Sequence, residues 1–98
     1  MPDDYSDERL SQILPKLMAE RGLGVRELAR RAEVSHAHLS RVIREDRGKH
    51  ASMELIERLA GALDLSPDFF REYREAVVGA ELRSHAALLN RVYRGLRR

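Results

Sequence analysis

Cysteine is absent from the chain, which removes disulfide staples, thiolate zinc ligands and thiol nucleophiles together. Tryptophan is absent as well, and aromatic residues make up 5% of the sequence, so no row of rings is available as a platform for single-stranded bases. Phe69 and Phe70 read as core. No apolar run approaches the roughly 18 residues that a membrane span requires, and residues 1–8 are acidic where a secretory signal would be basic. The expectation is a soluble cytoplasmic protein with no membrane association. No glycine-rich phosphate loop occurs, and no alternating run of Val, Ile or Thr marks a strand.

What remains is a 98-residue chain in which 35% of residues are charged and 43% are hydrophobic. A chain of this length buries roughly two thirds of the surface its unfolded form exposes, enough for one modest core. The net charge of +2 is unevenly spread. Residues 1–34 hold six basic and seven acidic groups, residues 35–50 hold four and two together with His36, His38 and His50, and residues 82–98 hold five arginines and no acid. Positive charge therefore collects in the middle and the tail, the distribution expected of a protein with an anionic partner. Sixteen of the eighteen basic residues are arginine, which a GC-rich genome explains without any functional demand.

Apolar spacing of three and four recurs throughout and predicts an all-α protein. Leu10, Ile13, Leu14, Leu17 and Met18 form one stripe, with Ser6 as its cap and Gly22 as its stop. Pro15 should kink that helix or delay its start. A second helix fits 25–32 with Leu28, Ala29 and Ala32 inward, and a third fits 36–44 with Leu39, Val42 and Ile43 inward. Only Glu33, Val34 and Ser35 separate them. Residues 45–51 read as a polar loop. Ser52 caps a fourth helix burying Leu55, Ile56, Leu59, Ala60 and Leu63. Ser66, Pro67 and Asp68 mark the start of a fifth, with Phe69, Phe70, Tyr73 and Val77 as its stripe. Beyond Gly79 the phase shifts, and Leu82, Ala86, Leu89, Tyr93 and Leu96 repeat at spacings of four and three, which hints at a coiled coil over barely two heptads.

Two short helices joined by a tight turn inside a bundle are the arrangement of a helix-turn-helix. From 25 to 44 the sequence resembles that motif in the phage lambda repressor and Cro class, the Xre family. Leu28 and Ala29 match the first helix, Ala32 the approach to the turn, Val34 the exit, and Leu39 and Val42 the second helix. The resemblance extends over about residues 10–72, through "LSRVIREDRGKHASMELIERLAGALDLSPDFF". It implies a five-helix lambda-repressor-like DNA-binding domain over 1–72, followed by a C-terminal helical extension over 73–98. The sequence departs from the family at Glu33, where glycine is usual and a left-handed residue costs about 1 kcal/mol. It departs also at Gly24, which offers no side-chain cap, and in a loop about two residues longer than usual ending at Ala51, where proline is common.

The resemblance makes 36–44 a recognition helix, with His36, Ala37 and Arg41 as the base-reading candidates. Arg41 is placed to reach O6 and N7 of a guanine, the commonest specific contact. Arg26, His38, Ser40, Arg44, Arg47, Lys49 and His50 are assigned to the DNA backbone, which fixes affinity and register. A metal site is not expected: His36 and His38 point about 200° apart on a helix, and no carboxylate or thiol completes a set. Ser40, His38 and Asp46 could be written as a catalytic triad, but residues of one short helix and its loop do not converge on a pocket, and no enzymatic activity is expected. No cofactor is implied.

The family typically pairs two domains on a two-fold symmetric operator. Leu82, Ala86, Leu89, Tyr93 and Leu96 are the candidate dimerisation residues, the alternative being that their helix folds back on its own domain. Arg91, Arg94, Arg97 and Arg98 could add non-specific phosphate contacts. A basic amphipathic helix can also lie on anionic membrane, a reading that the short, tryptophan-free apolar face disfavours. The resulting expectation is a sequence-specific double-stranded DNA-binding transcriptional regulator acting as a homodimeric repressor. An antitoxin repressing its own operon, or an adaptor that binds an unidentified protein partner without DNA, are the alternatives.

Overall fold

The computed structural model describes residues 5–44 and 51–97. The described residues form helices and connections only: α1 (Leu10–Arg21), α2 (Val25–Ala32), α3 (His36–Arg44), α4 (Met53–Leu63), a single 3-10 turn at Pro67–Phe69, α5 (Arg71–Ser84) and α6 (Ala86–Leu96). The core is one cluster. Leu10, Leu14, Leu17 and Met18 enter it from α1, Leu28, Ala29 and Ala32 from α2, and Leu39 from α3. Leu55, Ile56, Leu59, Ala60 and Leu63 come from α4, and Phe70 closes the set. Each of α1 to α4 meets it along the stripe its spacing dictates, because side chains three and four apart share one face. Ile13, Val42 and Ile43 sit half-buried at the edge of the cluster. The helix α4 packs against α2, and α3 packs against both α1 and α2.

Three helices end by the same device. Gly22 (φ 65°), Glu33 (φ 60°) and Asp64 (φ 61°) adopt the left-handed conformation. The next residue, Leu23, Val34 or Leu65, donates its N–H back to Met18, Ala29 or Ala60 at 2.9, 3.0 and 2.8 Å while its apolar side chain packs on the core. These are Schellman closures, in which a hydrophobic contact helps hold the reversed residue. Glycine adopts that conformation freely, whereas Glu33 and Asp64 carry a Cβ against the following carbonyl.

Several expected boundaries move. Ser6 does not cap α1: its Oγ accepts from the Glu8 N–H at 3.1 Å, and α1 starts after Arg9, whose N–H donates to Gln12 Oε1 at 3.3 Å. Pro15 lies on the exposed side inside α1, and the helix continues past it to Arg21. The "SPDFF" segment does not open a long helix. It makes one 3-10 turn, with Phe69 and Phe70 donating to the Ser66 and Pro67 carbonyls at 3.0 and 3.1 Å, and Ser66 Oγ donates to Asp68 at 2.7 Å. Phe70 is extended (φ −88°, ψ 132°) and caps α5. That kink drives its ring fully into the core, edge-on to Phe69 at 5.2 Å between ring centres. The α5 stripe consequently starts at Tyr73, and Val77 is exposed. Gly79 lies within α5, and the chain breaks instead at His85 (φ −126°, ψ 93°).

The first turn of α5 locks the bundle. Glu72 Oε2 accepts the N–H of Leu10 at 2.9 Å, placing a carboxylate at the positive end of α1. Arg74 donates to the carbonyls of Ser6, Asp68 and Phe69 at 2.9 to 3.0 Å and stacks over Tyr5. A charged guanidinium donating to backbone carbonyls forms strong hydrogen bonds.

Candidate nucleic-acid interface

The turn between α2 and α3 fixes how α3 sits. Ser35 caps α3: its Oγ accepts from the His38 N–H at 3.0 Å and its carbonyl from Leu39 N–H at 3.0 Å. Ala29 and Leu39, 2% and 0% exposed, lie in the same cluster, and the small side chain at 29 lets α3 cross close over α2. From the far side of the turn Arg58 of α4 donates to the Glu33 carbonyl at 3.0 Å while pairing with Glu54 at 3.1 Å. That clamp supports a backbone conformation the Glu33 side chain disfavours. Glu33→Gly is expected to stabilise the fold by about 1 kcal/mol, raising Tm by roughly 4 °C or more. A calorimetric Tm equal to or below that of the parent would mean that the clamp had already removed the strain.

At about 100° per residue, His36, Ser40, Arg44, Ala37 and Arg41 fall in one arc of α3, with Ala37 and Arg41 opposite Leu39. His36, Ala37, Arg41 and Arg44 are exposed and Ser40 is half-buried. Together with Val25 and Ile43 these five side chains line one open groove. The structure therefore brings together all three base-reading candidates with two of the backbone candidates. His38 and Arg26 are exposed but outside that groove. Arg47, Lys49 and His50 lie outside the described residues.

Among the described residues, no acid pairs with the exposed arginines of α3. Glu27 of α2 is held by Arg30 and, at 2.9 Å, by Arg31. The hydrogen bonds from Arg30 and then Arg31 keep its carboxyl below the usual carboxylate range, so it stays ionised and occupies both guanidinium groups. Arg26, Arg41 and Arg44 have no hydrogen-bond or ion-pair partner among the described residues. A guanidinium left in water with its full donor set is the group a base edge or phosphate can recruit without breaking an existing pair. No group of three or more His, Asp or Glu side chains among the described residues is arranged to hold a metal ion.

The proposed dimerisation residues divide between two helices. Leu82 is half-buried on α5, whereas Ala86, Leu89, Tyr93 and Leu96 are exposed on α6 beyond the break at His85. A single continuous seam through all five is thus interrupted. No residue of α6 is buried, and α5 is its principal neighbour. No helix among the described residues is long and apolar enough to cross a membrane.

A helix pair crossing at a small residue, with the second helix presenting a polar face outward from a four-helix core closed by Phe70, defines a helix-turn-helix protein. A family model described as helix-turn-helix matches residues 16–70, more than half of the chain. The chain belongs to that family, the Xre or lambda-repressor-like class, whose members are DNA-binding transcription regulators. No curated protein and no solved structure matches the chain.

Proposed function

We propose that the chain is a sequence-specific double-stranded DNA-binding regulator, a homodimeric cytoplasmic repressor that inserts α3 into the major groove. The observation that carries this reading is the exposed arc of α3, with Arg41, unpaired among the described residues, beside His36 and Ala37. In it His36, Ala37 and Arg41 face base edges, while Arg26, His38, Ser40 and Arg44 meet phosphates on either side. Arg47, Lys49 and His50 keep their proposed backbone role on sequence grounds alone. Catalysis and cofactors have no part in this function.

A salt titration separates the two classes of contact. Each phosphate contact releases counterions, so Arg44→Ala should weaken binding to all duplexes alike and flatten the slope of log K against log salt by about one. A loss confined to one preferred sequence would move Arg44 among the base readers.

One domain of this size covers too few base pairs for a strong operator, and pairing places two α3 helices about 34 Å apart, one DNA turn. The exposed apolar face of α6 supports its assignment as the dimerisation element. The chain shortened after Ser84 keeps Glu72 and Arg74, and it should sediment as a monomer where the full chain is a dimer. Equal masses for the two would remove α6 from that role.

A further inference from the structure

Six of the seven large apolar side chains exposed among the described residues lie on α5 and α6: Val77, Val78, Leu89, Val92, Tyr93 and Leu96. The radius of gyration, 15.4 Å, exceeds the about 13 Å of a compact chain of this length, as expected if this arm stands away from the bundle. On α6, the apolar residues Leu88, Leu89, Val92, Tyr93 and Leu96 share one side, and Arg91, Arg94 and Arg97 share the other. On α5, Val78, Gly79 and Leu82 floor a second groove bordered by Asp7 and Glu75. Its two arginines are already engaged, Arg71 by Glu75 at 3.0 Å and Arg74 by backbone carbonyls.

We infer that two copies of the chain pair by exchanging α6, so that the apolar face of each α6 fills the α5 groove of the other copy. The inference rests on the dimeric reading above and specifies its surfaces. A chain's own α6 cannot fill its own groove. Only His85 separates the two helices, whereas antiparallel helices need a connection of about two to five residues to lie side by side. Charge then selects between the remaining arrangements. Pairing α6 directly with α6 would bring Arg91 and Arg97, at the edges of the apolar face, toward the arginines of the other copy with no acid on either helix. The exchange sets Arg91 and Arg97, which flank the apolar face, beside an arm that does carry exposed acids, Asp7, Glu75 and Glu81, each paired with Arg74, Arg71 or His85 of its own chain. One two-fold axis satisfies both grooves at once.

The absence of cysteine makes cross-linking decisive. Val78→Cys marks the groove and Val92→Cys marks α6, both at exposed positions, so the fold should tolerate each. The two full-length variants are mixed and treated with a short bis-maleimide, and sedimentation of the parent chain is measured in parallel. Exchange predicts a linked dimer in the mixture and none in either variant alone. A dimer linked by Val92→Cys alone, or a parent dimer whose mixed variants do not link, would overturn the exchange and leave the dimeric reading standing. A parent chain that sediments as a monomer at every concentration would overturn both.

Discussion

Arg41→Ala is expected to weaken binding to the preferred duplex by about 1 to 3 kcal/mol, while binding to random duplex falls much less. The difference between those two losses is the informative quantity. Arg41 is exposed, unpaired among the described residues, and shares a groove with His36 and Ala37. Removing it from the free protein therefore breaks no hydrogen bond or ion pair among the described residues, and thermal stability should stay within about 0.5 kcal/mol of the parent. A bidentate contact to guanine is lost only where guanine stands at the right position, which is why random sequence hardly registers the change. Parallel titrations of the preferred and a scrambled duplex at one salt concentration measure both. Equal losses on the two would make Arg41 a phosphate contact and leave base reading to His36 and Ala37.

Leu39→Ala should cost about 2 to 5 kcal/mol of folding stability, out of the roughly 5 to 15 kcal/mol available to a domain of this size. Leu39 is fully buried and is the one residue of α3 that is, so it alone inserts deeply enough to hold that helix to α1 and α2. A cavity there loosens α3 before the rest of the bundle. DNA affinity should accordingly fall along with the urea midpoint, although Leu39 faces away from the proposed groove. Urea unfolding followed by circular dichroism gives the number. A loss below about 1 kcal/mol would mean that the bundle collapses around the gap and that α3 is held some other way.

The core stripes were readable because helical spacing is a local property. Leu28, Ala29 and Ala32, and Leu55 through Leu63, are buried as their three- and four-residue spacing predicts. The face of α3 was readable for the same reason, since whatever lies opposite Leu39 must meet solvent. What escaped depends on partners distant in sequence or on ambiguous punctuation. Glu72 caps α1 from 62 residues away, and Arg74 reaches Ser6 across 68; neither has a local signature. Ser66 and Pro67 are as compatible with a single 3-10 turn as with a helix start, and burial of Phe70 decides in favour of the turn. The break at His85 was hidden because Leu82 to Leu96 keeps helical spacing across it. Ser35 could have been found: a serine directly before a helical stripe is an N-cap signal, overlooked inside so short a turn.

Electrostatics refines the reading in a way that counting charges could not. The sequence shows arginines on both α2 and α3, but Arg30 and Arg31 are spent on Glu27, leaving Arg26, Arg41 and Arg44 without a partner among the described residues.

Whether α3 reads duplex DNA is answered by selecting bound sequences from a random duplex pool with the full chain. The expected result is enrichment of a two-fold symmetric sequence whose half-sites lie about one helical turn apart, with a guanine at a fixed place in each half-site. A pool that emerges from repeated rounds without any enriched sequence would contradict it.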